Sequence, residues 1–244
     1  MLGRCMTGFL LASALVAGGF AARVFAQEPA PAPEASTGRV AKTLGVAKRH
    51  MVAAANPLAA EAGRGILREG GSAVDAFIAT QFVLNLVEPQ SSGIGGGAFL
   101  VHWDRKSGRV TTLDGRETAP AAAKPDRFMG PDGKPMGFMQ AAVGGRSVGV
   151  PGTLRLMEEA HRRWGTLPWA RLVEPALQLA EKGFSVSPRL SGLLSKESAL
   201  KQDTRARGLF YGADGKELPV GHLLKNPAFG QTLRRIGQAG ALAF

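Results

Sequence analysis

The stretch from Glu88 to Pro120 decides the fold of this chain, and it reads EPQSSGIGGGAFLVHWDRKSGRVTTLDGRETAP. An apolar helical pattern ends at Glu88-Pro89, and four glycines then fall within the five positions 93–97. Glycine permits positive φ and close backbone approach, but ordering it costs more conformational entropy than ordering other residues. So dense a cluster indicates a geometric requirement at this turn.

Two short strands are predicted after the glycines. The segments Ala98–Trp103 and Arg109–Asp114 are rich in β-branched and aromatic residues, and a turn with Gly108 near its end joins them into a hairpin. Arg116 comes just after the second strand, where a rigid sheet can direct a guanidinium toward an anion. Because two acidic residues are close by, Arg116 could equally form a local surface ion pair with Glu117.

The N-terminal residues are predicted to export the protein. Residues 1–26 resemble a secretory signal peptide, since Arg4 precedes an apolar centre and a small-residue cleavage site ends at Ala26. An uncleaved anchor is the alternative, but the glycines and alanines there make the span weakly apolar for a membrane helix. Residues 27–47 are predicted to be a Pro/Ala-rich linker and 48–244 the folded domain. The expected location is periplasmic or secreted, without a stable membrane anchor.

Composition narrows the function classes. The chain is 45% hydrophobic, enough to bury a sizeable core. Its single cysteine, Cys5, lies in the leader, so the mature chain would have no disulfide and no cysteine-based metal site. The formal net charge is +11, but the basic residues are dispersed and no nucleic-acid motif accompanies them. A solvated basic surface is expected, and nucleic acid is not expected as a partner.

The residues before the glycine cluster predict a strand and a helix. Met51–Ala55 is a short apolar run suited to a buried strand. Asn56-Pro57 then supplies an N-cap with proline at the first helical position, and the helix is expected to reach Arg68 or Glu69. Gly70-Gly71 is the expected C-terminal stop.

A second helix is predicted from Ser72. Ser72 and Asp75 have the spacing of a capping box. Apolar residues cover most of the helix surface, so burial on most sides is expected. Gln81 and Asn85 would then need hydrogen-bond partners.

The C-terminal half is predicted to be mostly helical. Residues 119–145 are expected to be loop-rich, and Asp203–Pro219 a charged loop with a turn at Asp214-Gly215. Helices are predicted at Thr153–Trp164, from Pro168 to Gly183, from Ser187-Pro188 onward, and at Pro227–Ala239.

Two glycine-containing patterns suggest a dinucleotide site and a nucleophilic serine, but the order of the neighbouring elements argues against both. A dinucleotide site needs a strand before its glycines and a helix after them, whereas here a helix precedes and a strand follows. The segment 145–149 matches the G-x-S-x-G nucleophile elbow around Ser147, with Asp203 or Asp214 and then His222 in a compatible order. Pro151-Gly152 delays the following helix, however, so a glycine-rich loop is favoured.

The four histidines share no metal-ligand spacing, and none is assigned a role; they are His50, His102, His161 and His222.

A family resemblance covers the chain from about Val52 to the C-terminus. The residues before and within the opening stretch, ANPLAAEAGRGILREGGSAVDAFIATQFVLNLVEPQ, are similar to the N-terminal part of the large subunit of the gamma-glutamyltransferases, or glutathione hydrolases. The similarity continues through GVPGTLRLMEEAHRRWGTLPWARLVEPALQLAEKGFSVS. Long, ordered agreement is more specific than any short motif.

The resemblance implies a fold and a substrate-binding residue. The family's Arg-Glu-x-Ala-Pro motif stands here as Arg116–Pro120, and its arginine, Arg116, would bind the α-carboxylate of a γ-glutamyl donor. A planar bidentate guanidinium suits a carboxylate better than lysine does. The implied fold class is α+β, the αββα four-layer sandwich of N-terminal-nucleophile hydrolases, incomplete in this chain. No metal or organic cofactor is implied.

The resemblance also implies a reaction whose nucleophile is missing from these residues. In the family a precursor cuts itself and frees a threonine, whose hydroxyl attacks the γ-glutamyl amide of a substrate such as glutathione. The Thr-Thr-His context of that threonine does not occur here, because Thr111-Thr112 is followed by Leu113 inside a predicted strand. No catalytic residue is therefore assigned. The chain is expected to be a fragment, inert alone, whose partner is the missing small subunit of the same precursor.

Two other functions stay open. A related amidohydrolase or acylase on the same scaffold would differ in its donor. A non-catalytic secreted binding protein would fold stably and bind a ligand without a small subunit.

Overall fold

The computed structural model describes residues 43–244, which form a helix-rich α+β arrangement with two small antiparallel sheets. The signal peptide predicted at 1–26 and most of the linker predicted at 27–47 lie outside the described residues. The last linker positions, 43–47, are exposed and have no regular secondary structure. Within the described part of the chain, no helix is both long enough and apolar enough to cross a membrane.

The helices and strands include the predicted hairpin and the predicted longer helices, together with several short elements that were not predicted. In chain order the elements are α1 (Pro57–Arg68), α2 (Ala73–Val87), β1 (Ala98–Asp104), β2 (Arg109–Gly115), α3 (Phe138–Ala142), α4 (Thr153–Trp164), α5 (Trp169–Lys182), β3 (Phe184–Ser185), α6 (Pro188–Leu194), α7 (Ala199–Gln202), α8 (Thr204–Phe210), β4 (Leu223–Leu224) and α9 (Pro227–Ala239). Short 3₁₀ turns occur at Gly145–Ser147 and Gly240–Ala243.

Helix α1 begins and ends as predicted. The Asn56 side chain accepts a hydrogen bond from the Leu58 N–H at 3.0 Å, and Gly70 has a φ of 89° after the last turn. The strand predicted at Met51–Ala55 is wrong, because these residues form no strand and alternate between exposed and half-buried. A strand needs a neighbour for its backbone N–H and C=O groups, and no described strand pairs with this segment.

Helix α2 is the centre of the core. Its capping box forms as predicted, with Ser72 and Asp75 exchanging side-chain to backbone hydrogen bonds. Most of its residues are buried, which confirms the predicted burial, and it packs against α1, α4 and α5. The ring of Phe82 meets Trp169 of α5 edge to face at 5.7 Å between centroids. Helix α9 in turn packs on α5, where the Trp169 Nε1–H donates to the Ile236 carbonyl at 2.8 Å.

Strands β1 and β2 form the predicted hairpin, with Ala98 opposite Gly115 and Asp104 opposite Arg109. Gly108, at φ 68°, closes the turn between them. One face packs on α4, where His102 stacks on Trp164 with ring centroids 4.2 Å apart. The other face, called here the outer face, is apolar and exposed; its large side chains are Phe99, Val101, Trp103 and Val110, which are between 60% and 72% exposed.

The C-terminal helices begin near the predicted residues, with one correction. The loop predicted over Asp203–Pro219 instead contains α8. Asp203 caps this helix by accepting from the Arg205 and Ala206 N–H groups, and such a cap stabilises a helix despite a charged, weakly apolar sequence. The predicted turn is confirmed by Gly215 at φ 75°. The small β3–β4 sheet was not predicted, since two-residue strands carry no periodic signal.

Candidate functional site

A cleft of about 580 Å³ lies where α2, the glycine turn, the end of β2 and the start of α4 meet. Its lining includes Gln81, Glu88, Ser92, Gly97, Arg116 and Thr153. The stretch that decides the fold therefore also builds this cleft, because the turn brings the end of α2 to the exit of the hairpin.

The glycine turn is hydrogen-bonded to the start of α4, and within it Gly97 is packed tightly, whereas a Cβ at Gly93 would meet nothing within 4 Å. The Gly96 carbonyl accepts the N–H groups of Gly152 and Thr153 at 3.0 and 3.1 Å, which joins the turn to the first turn of α4. A Cβ at Gly152 would overlap the Gly115 carbonyl, so only glycine allows this approach. Two donors at the start of α4 are thus used within the protein. This order of elements agrees with the prediction against a dinucleotide site.

Arg116 lies immediately after β2, as the sequence predicted. Its backbone N–H donates to Asp114 Oδ1 at 2.9 Å, which fixes the turn at the strand end. The side chain is 64% exposed at the edge of the cleft, and its Nη1 lies 2.9 Å from Glu117 Oε2. Within residues 43–244 no other side chain pairs with this guanidinium. Several of its N–H groups therefore face the cleft without a partner from the described chain.

Glu117 orients Arg116 rather than adding much stability. The Glu117 side chain is 28% exposed and is held between Gly97 and Gly149, where a Cβ would crowd it. Oε2 is buried, and its contact with Arg116 is an ion pair without the angles of a hydrogen bond. Half-exposed ion pairs contribute at most about 1 kcal/mol to stability. The local ion pair considered from sequence does form, and it still leaves most of the guanidinium available.

Glu88 forms a buried network beside the cleft that sequence reasoning missed. Its carboxylate accepts from Asn56 Nδ2 at 2.9 Å, from the Gln90 side-chain amide, and from Arg189 Nη1 at 3.3 Å. Glu88 is only 3% exposed, so these donors compensate a charge that burial would otherwise disfavour. The sequence did contain one indication of this network, because Glu88 directly follows an almost wholly apolar helix and a charge there needs partners.

Gln81 and Asn85 of α2 find hydrogen-bond partners as the sequence required, although Asn85 Nδ2 and Thr80 Oγ1 have none among the described residues. Gln81 Nε2 donates to Asn85 Oδ1 at 2.9 Å and to Ser92 Oγ at 2.7 Å. Ser92 Oγ in turn donates to Asn85 Oδ1 at 2.6 Å. This triad links the buried helix to the glycine turn and lies along the cleft wall.

Ser147 does not form a nucleophile elbow. It lies in a 3₁₀ turn, and its hydroxyl is directed at the backbone carbonyls of Ala142 and Gly144, at 2.6 and 3.2 Å. No histidine or carboxylate contacts it among the described residues. The glycine-rich loop favoured from sequence is confirmed.

The histidines lie apart from the cleft lining. His161 Nε2 lies 2.7 Å from the Leu167 carbonyl and 3.9 Å from Asp75 Oδ1, and His102 stacks on Trp164, so both contact other parts of the fold. No cluster of three or more His, Cys, Asp or Glu side chains with metal-binding geometry occurs within residues 43–244.

Solved structures share this scaffold. The crystal structure of Helicobacter pylori gamma-glutamyltranspeptidase superposes with a TM-score of 0.77 at 31% identity, covering 83% of this chain and 58% of that one. The crystal structure of cephalosporin acylase from Bacillus halodurans superposes with a TM-score of 0.68 at 29% identity, covering 86% of this chain and 39% of that one. The fold therefore belongs to the class of N-terminal-nucleophile hydrolase scaffolds.

Sequence comparison gives the family. The gamma-glutamyltranspeptidase family model matches residues 59–244. A curated relative, the glutathione hydrolase proenzyme of Bacillus subtilis strain 168, is 39% identical over 240 residues. The chain belongs to the gamma-glutamyltranspeptidase family. The alignment covers 98% of this chain but 40% of that relative, so the chain spans well under half the length of the curated protein it matches.

Proposed function

We propose that this chain supplies the donor-binding part of an enzyme that hydrolyses γ-glutamyl amides such as glutathione, or transfers their γ-glutamyl group. The observation that carries the proposal is the exposed Arg116 guanidinium, held at the exit of β2 by Glu117. A guanidinium presents two parallel N–H groups that match a carboxylate. Arg116 would bind the α-carboxylate of the donor and so hold the donor at the edge of the cleft.

The reactive hydroxyl is proposed to belong to polypeptide outside these residues. In the proposed reaction, a threonine freed by self-cleavage of a longer precursor attacks the γ-carbonyl, and its own α-amine takes the proton. The amine of the donor leaves, and water or an acceptor amine then releases the γ-glutamyl group. The partner of this chain would be the small subunit that carries the threonine.

The outer face of the hairpin supports the four-layer architecture expected from the sequence. One face of the hairpin packs on α4, while Phe99, Val101 and Trp103 are exposed on the other. A soluble protein rarely leaves so many large apolar side chains together in water. We propose that a second sheet, from sequence not present here, covers this face and completes the αββα sandwich.

Export is part of the same proposal. A signal peptide at 1–26 would carry the precursor to the periplasm or the medium, and 27–47 would link the cleavage site to the folded domain at 48–244. Residues 27–244 contain no cysteine, so an oxidising compartment could not form unwanted disulfides in the mature chain. N-terminal sequencing of the exported protein tests this, because a mature N-terminus at Gln27 is expected.

The test of the donor role uses the complete precursor, with the coding sequence read past Phe244. We expect a nucleophilic threonine downstream, and Arg116→Ala should raise KM for γ-glutamyl-p-nitroanilide by about 10- to 100-fold, as loss of a charged hydrogen-bonded contact predicts. Arg116→Lys should recover only part of this binding. Self-cleavage should persist in both variants, since the guanidinium binds the donor.

Arg105→Ala is the matched control, because Arg105 lies in the exposed hairpin turn away from the cleft lining. Unchanged donor kinetics in both Arg116 variants would remove the proposed role. Turnover of γ-glutamyl-p-nitroanilide by purified residues 27–244 alone would show that the nucleophile lies within this chain.

A related acylase is the second candidate, favoured by the likeness to the cephalosporin acylase structure. Such an enzyme would use the same scaffold with a different acyl donor. Assaying the complete protein with γ-glutamyl-p-nitroanilide and with glutaryl-p-nitroanilide separates the two. The glutaryl compound keeps the terminal carboxylate of the γ-glutamyl group but lacks its α-amine, so preference for it would favour the acylase.

A further inference from the structure

A second cleft, of about 350 Å³, shares Arg116 and Glu117 with the first. Arg127 and Arg146 also line it, so it is called here the arginine cleft. Both additional arginines belong to the loop-rich segment between the hairpin and α4. The residues that would bind the donor thus form the border between two adjoining clefts.

Arg127 and Arg146 hold each other in place through reciprocal hydrogen bonds. Arg127 Nε donates to the Arg146 carbonyl at 2.7 Å, and Arg146 Nη1 donates to the Arg127 carbonyl at 2.7 Å. Arg146 Nη1 also lies 3.5 Å from Met136 Sδ. Side chains that are already ordered lose less conformational entropy when they bind a ligand.

The remaining N–H groups of these two arginines have no carboxylate partner within residues 43–244. Glu117 lines the arginine cleft with both arginines, and Asp126 lines an adjoining cleft of about 530 Å³ together with both arginines and Lys124. Asp126 forms no ion pair with any of them within the described chain. Two ordered guanidinium groups therefore face solvent with unused donors.

The balance of charge around the connected clefts favours an anion. The arginine cleft and the adjoining 530 Å³ cleft are lined together by four cationic groups and by two carboxylates, Glu117 and Asp126. Their combined net charge is +2. The cations are Arg116, Lys124, Arg127 and Arg146. Arg116 is already paired in part with Glu117, so the uncompensated charge lies mainly at the other three.

An apolar surface lies beside the arginines. Phe128 and Val148 line the arginine cleft and are 43% and 56% exposed. Such side chains suit the hydrocarbon part of a ligand whose charged end meets the guanidinium groups. The lining as a whole fits a small organic carboxylate better than a bare inorganic anion.

We propose that Arg127 and Arg146 bind a second carboxylate. This carboxylate belongs to the molecule whose nitrogen forms the γ-glutamyl amide. The inference rests on the proposed function, because Arg116 is taken to hold the α-carboxylate at the border of the two clefts. That second carboxylate could come from the leaving group of the donor or from the acceptor. The two sources share one position, since attack by the acceptor amine is departure of the leaving amine in reverse.

The test compares, in the complete enzyme, a donor whose leaving group carries carboxylates with a donor whose leaving group carries none. In Arg127→Met and Arg146→Met, KM for γ-glutamylglutamate should rise about tenfold through loss of a charge-assisted contact, while KM for the neutral donor γ-glutamyl-p-nitroanilide stays at the wild-type value. High salt should weaken binding of γ-glutamylglutamate in the wild type more than in the variants. Arg105→Met at the hairpin turn is the matched control and should change neither KM.

An acceptor arm separates the two sources of the carboxylate. Transfer to glycylglycine is compared with transfer to glycylglycine amide, which lacks the carboxylate. If the Met variants raise only the KM for γ-glutamylglutamate, the site binds the leaving group. If they raise only the KM for glycylglycine, the site binds the acceptor. A rise in both KM values supports the shared position. KM values that change equally for the charged and neutral compounds, or not at all, overturn the proposal.

The Lys variants keep the test decisive if a Met variant folds poorly. Arg127→Lys and Arg146→Lys retain the charge, so they should keep a preference for γ-glutamylglutamate that the Met variants lose; absence of that preference in folded Lys variants also counts against the site. The outcome for Arg116 is separate. If Arg116→Ala impairs both donors while the Arg127 and Arg146 variants impair neither, only the second site fails. If Arg116→Ala impairs neither donor, the proposed function itself fails.

Discussion

The side chain of Glu117 lies directly against the α carbon of Gly97, so that a methyl group at position 97 would overlap both the Glu117 carboxylate and its backbone nitrogen. Glu117 in turn pairs with Arg116 at 2.9 Å. The glycine turn therefore determines where the guanidinium at the end of β2 is directed. Both partners of the contact come from the stretch that decides the fold.

Gly97→Ala should displace Glu117 and with it Arg116. Because the added methyl group meets backbone as well as side chain, rotation of Glu117 alone cannot relieve the contact. We expect a loss of about 1–3 kcal/mol in the free energy of unfolding, typical of overpacking, measured by urea denaturation of the chain. In the complete enzyme KM for γ-glutamyl-p-nitroanilide should rise as well.

Gly93→Ala is the matched control within the same glycine run, since a Cβ there would meet nothing within 4 Å. Its stability and donor KM should match those of the wild type. Equal effects of the two substitutions would mean that backbone freedom, rather than the contact with Glu117, explains the cluster.

Asp75 joins two distant parts of the core, and replacing it should destabilise the chain. Its buried carboxylate accepts from the Thr166 hydroxyl at 2.7 Å and from the backbone N–H groups of Ser72, Thr166 and Leu167. In Asp75→Asn an amide group would face some of these donors. We expect a loss of about 2–4 kcal/mol in the free energy of unfolding at pH 7, measured by urea denaturation. Glu61→Gln, on the exposed side of α1, should have little effect.

The contribution of Asp75 should depend on pH. Burial alone would raise the pKa of its carboxyl, but the hydrogen bonds from Thr166, Ser72 and Leu167 outweigh burial and lower the pKa below the ordinary value. A carboxyl with a lowered folded-state pKa stabilises the protein fully above its unfolded pKa, about 3.9, and loses that stabilisation as the pH falls through the folded value. The difference between wild type and Asp75→Asn should therefore be largest near neutrality and shrink below pH 4. A difference that grows in acid would contradict this.

The outer face of the hairpin should make the isolated chain associate. Val101→Thr combined with Val110→Thr keeps the β-branched shape of both strand residues while reducing the apolar surface in water. In sedimentation velocity, the wild-type chain should show concentration-dependent association that this pair of substitutions weakens. Val46→Thr, at an exposed valine outside the hairpin, is the control and should leave association unchanged. A wild-type chain that stays monomeric at all concentrations would show that the face needs no cover.

Local sequence signals predicted most of the helix boundaries. Asn56 and Ser72 predict the starts of their helices, because an N-cap side chain accepts from backbone N–H groups that have no partner within the first turn of a helix. The same rule, applied to Asp203, would have found α8, but the charged residues after it favoured a loop. The position of Arg116 at the exit of β2 could also be predicted, because the hairpin is local and its register follows from the turn.

The sequence by itself determined the hairpin, the capped helices and the placement of Arg116, since each depends on residues within a few positions of one another. Only the tertiary structure showed that Glu117 packs on Gly97, that Glu88 is satisfied by Asn56 and Arg189, and that Arg127 and Arg146 hold each other beside Arg116. Those contacts join segments that are distant along the chain. Their partners are selected by the shape of the packed core, and no local pattern of residues encodes that shape.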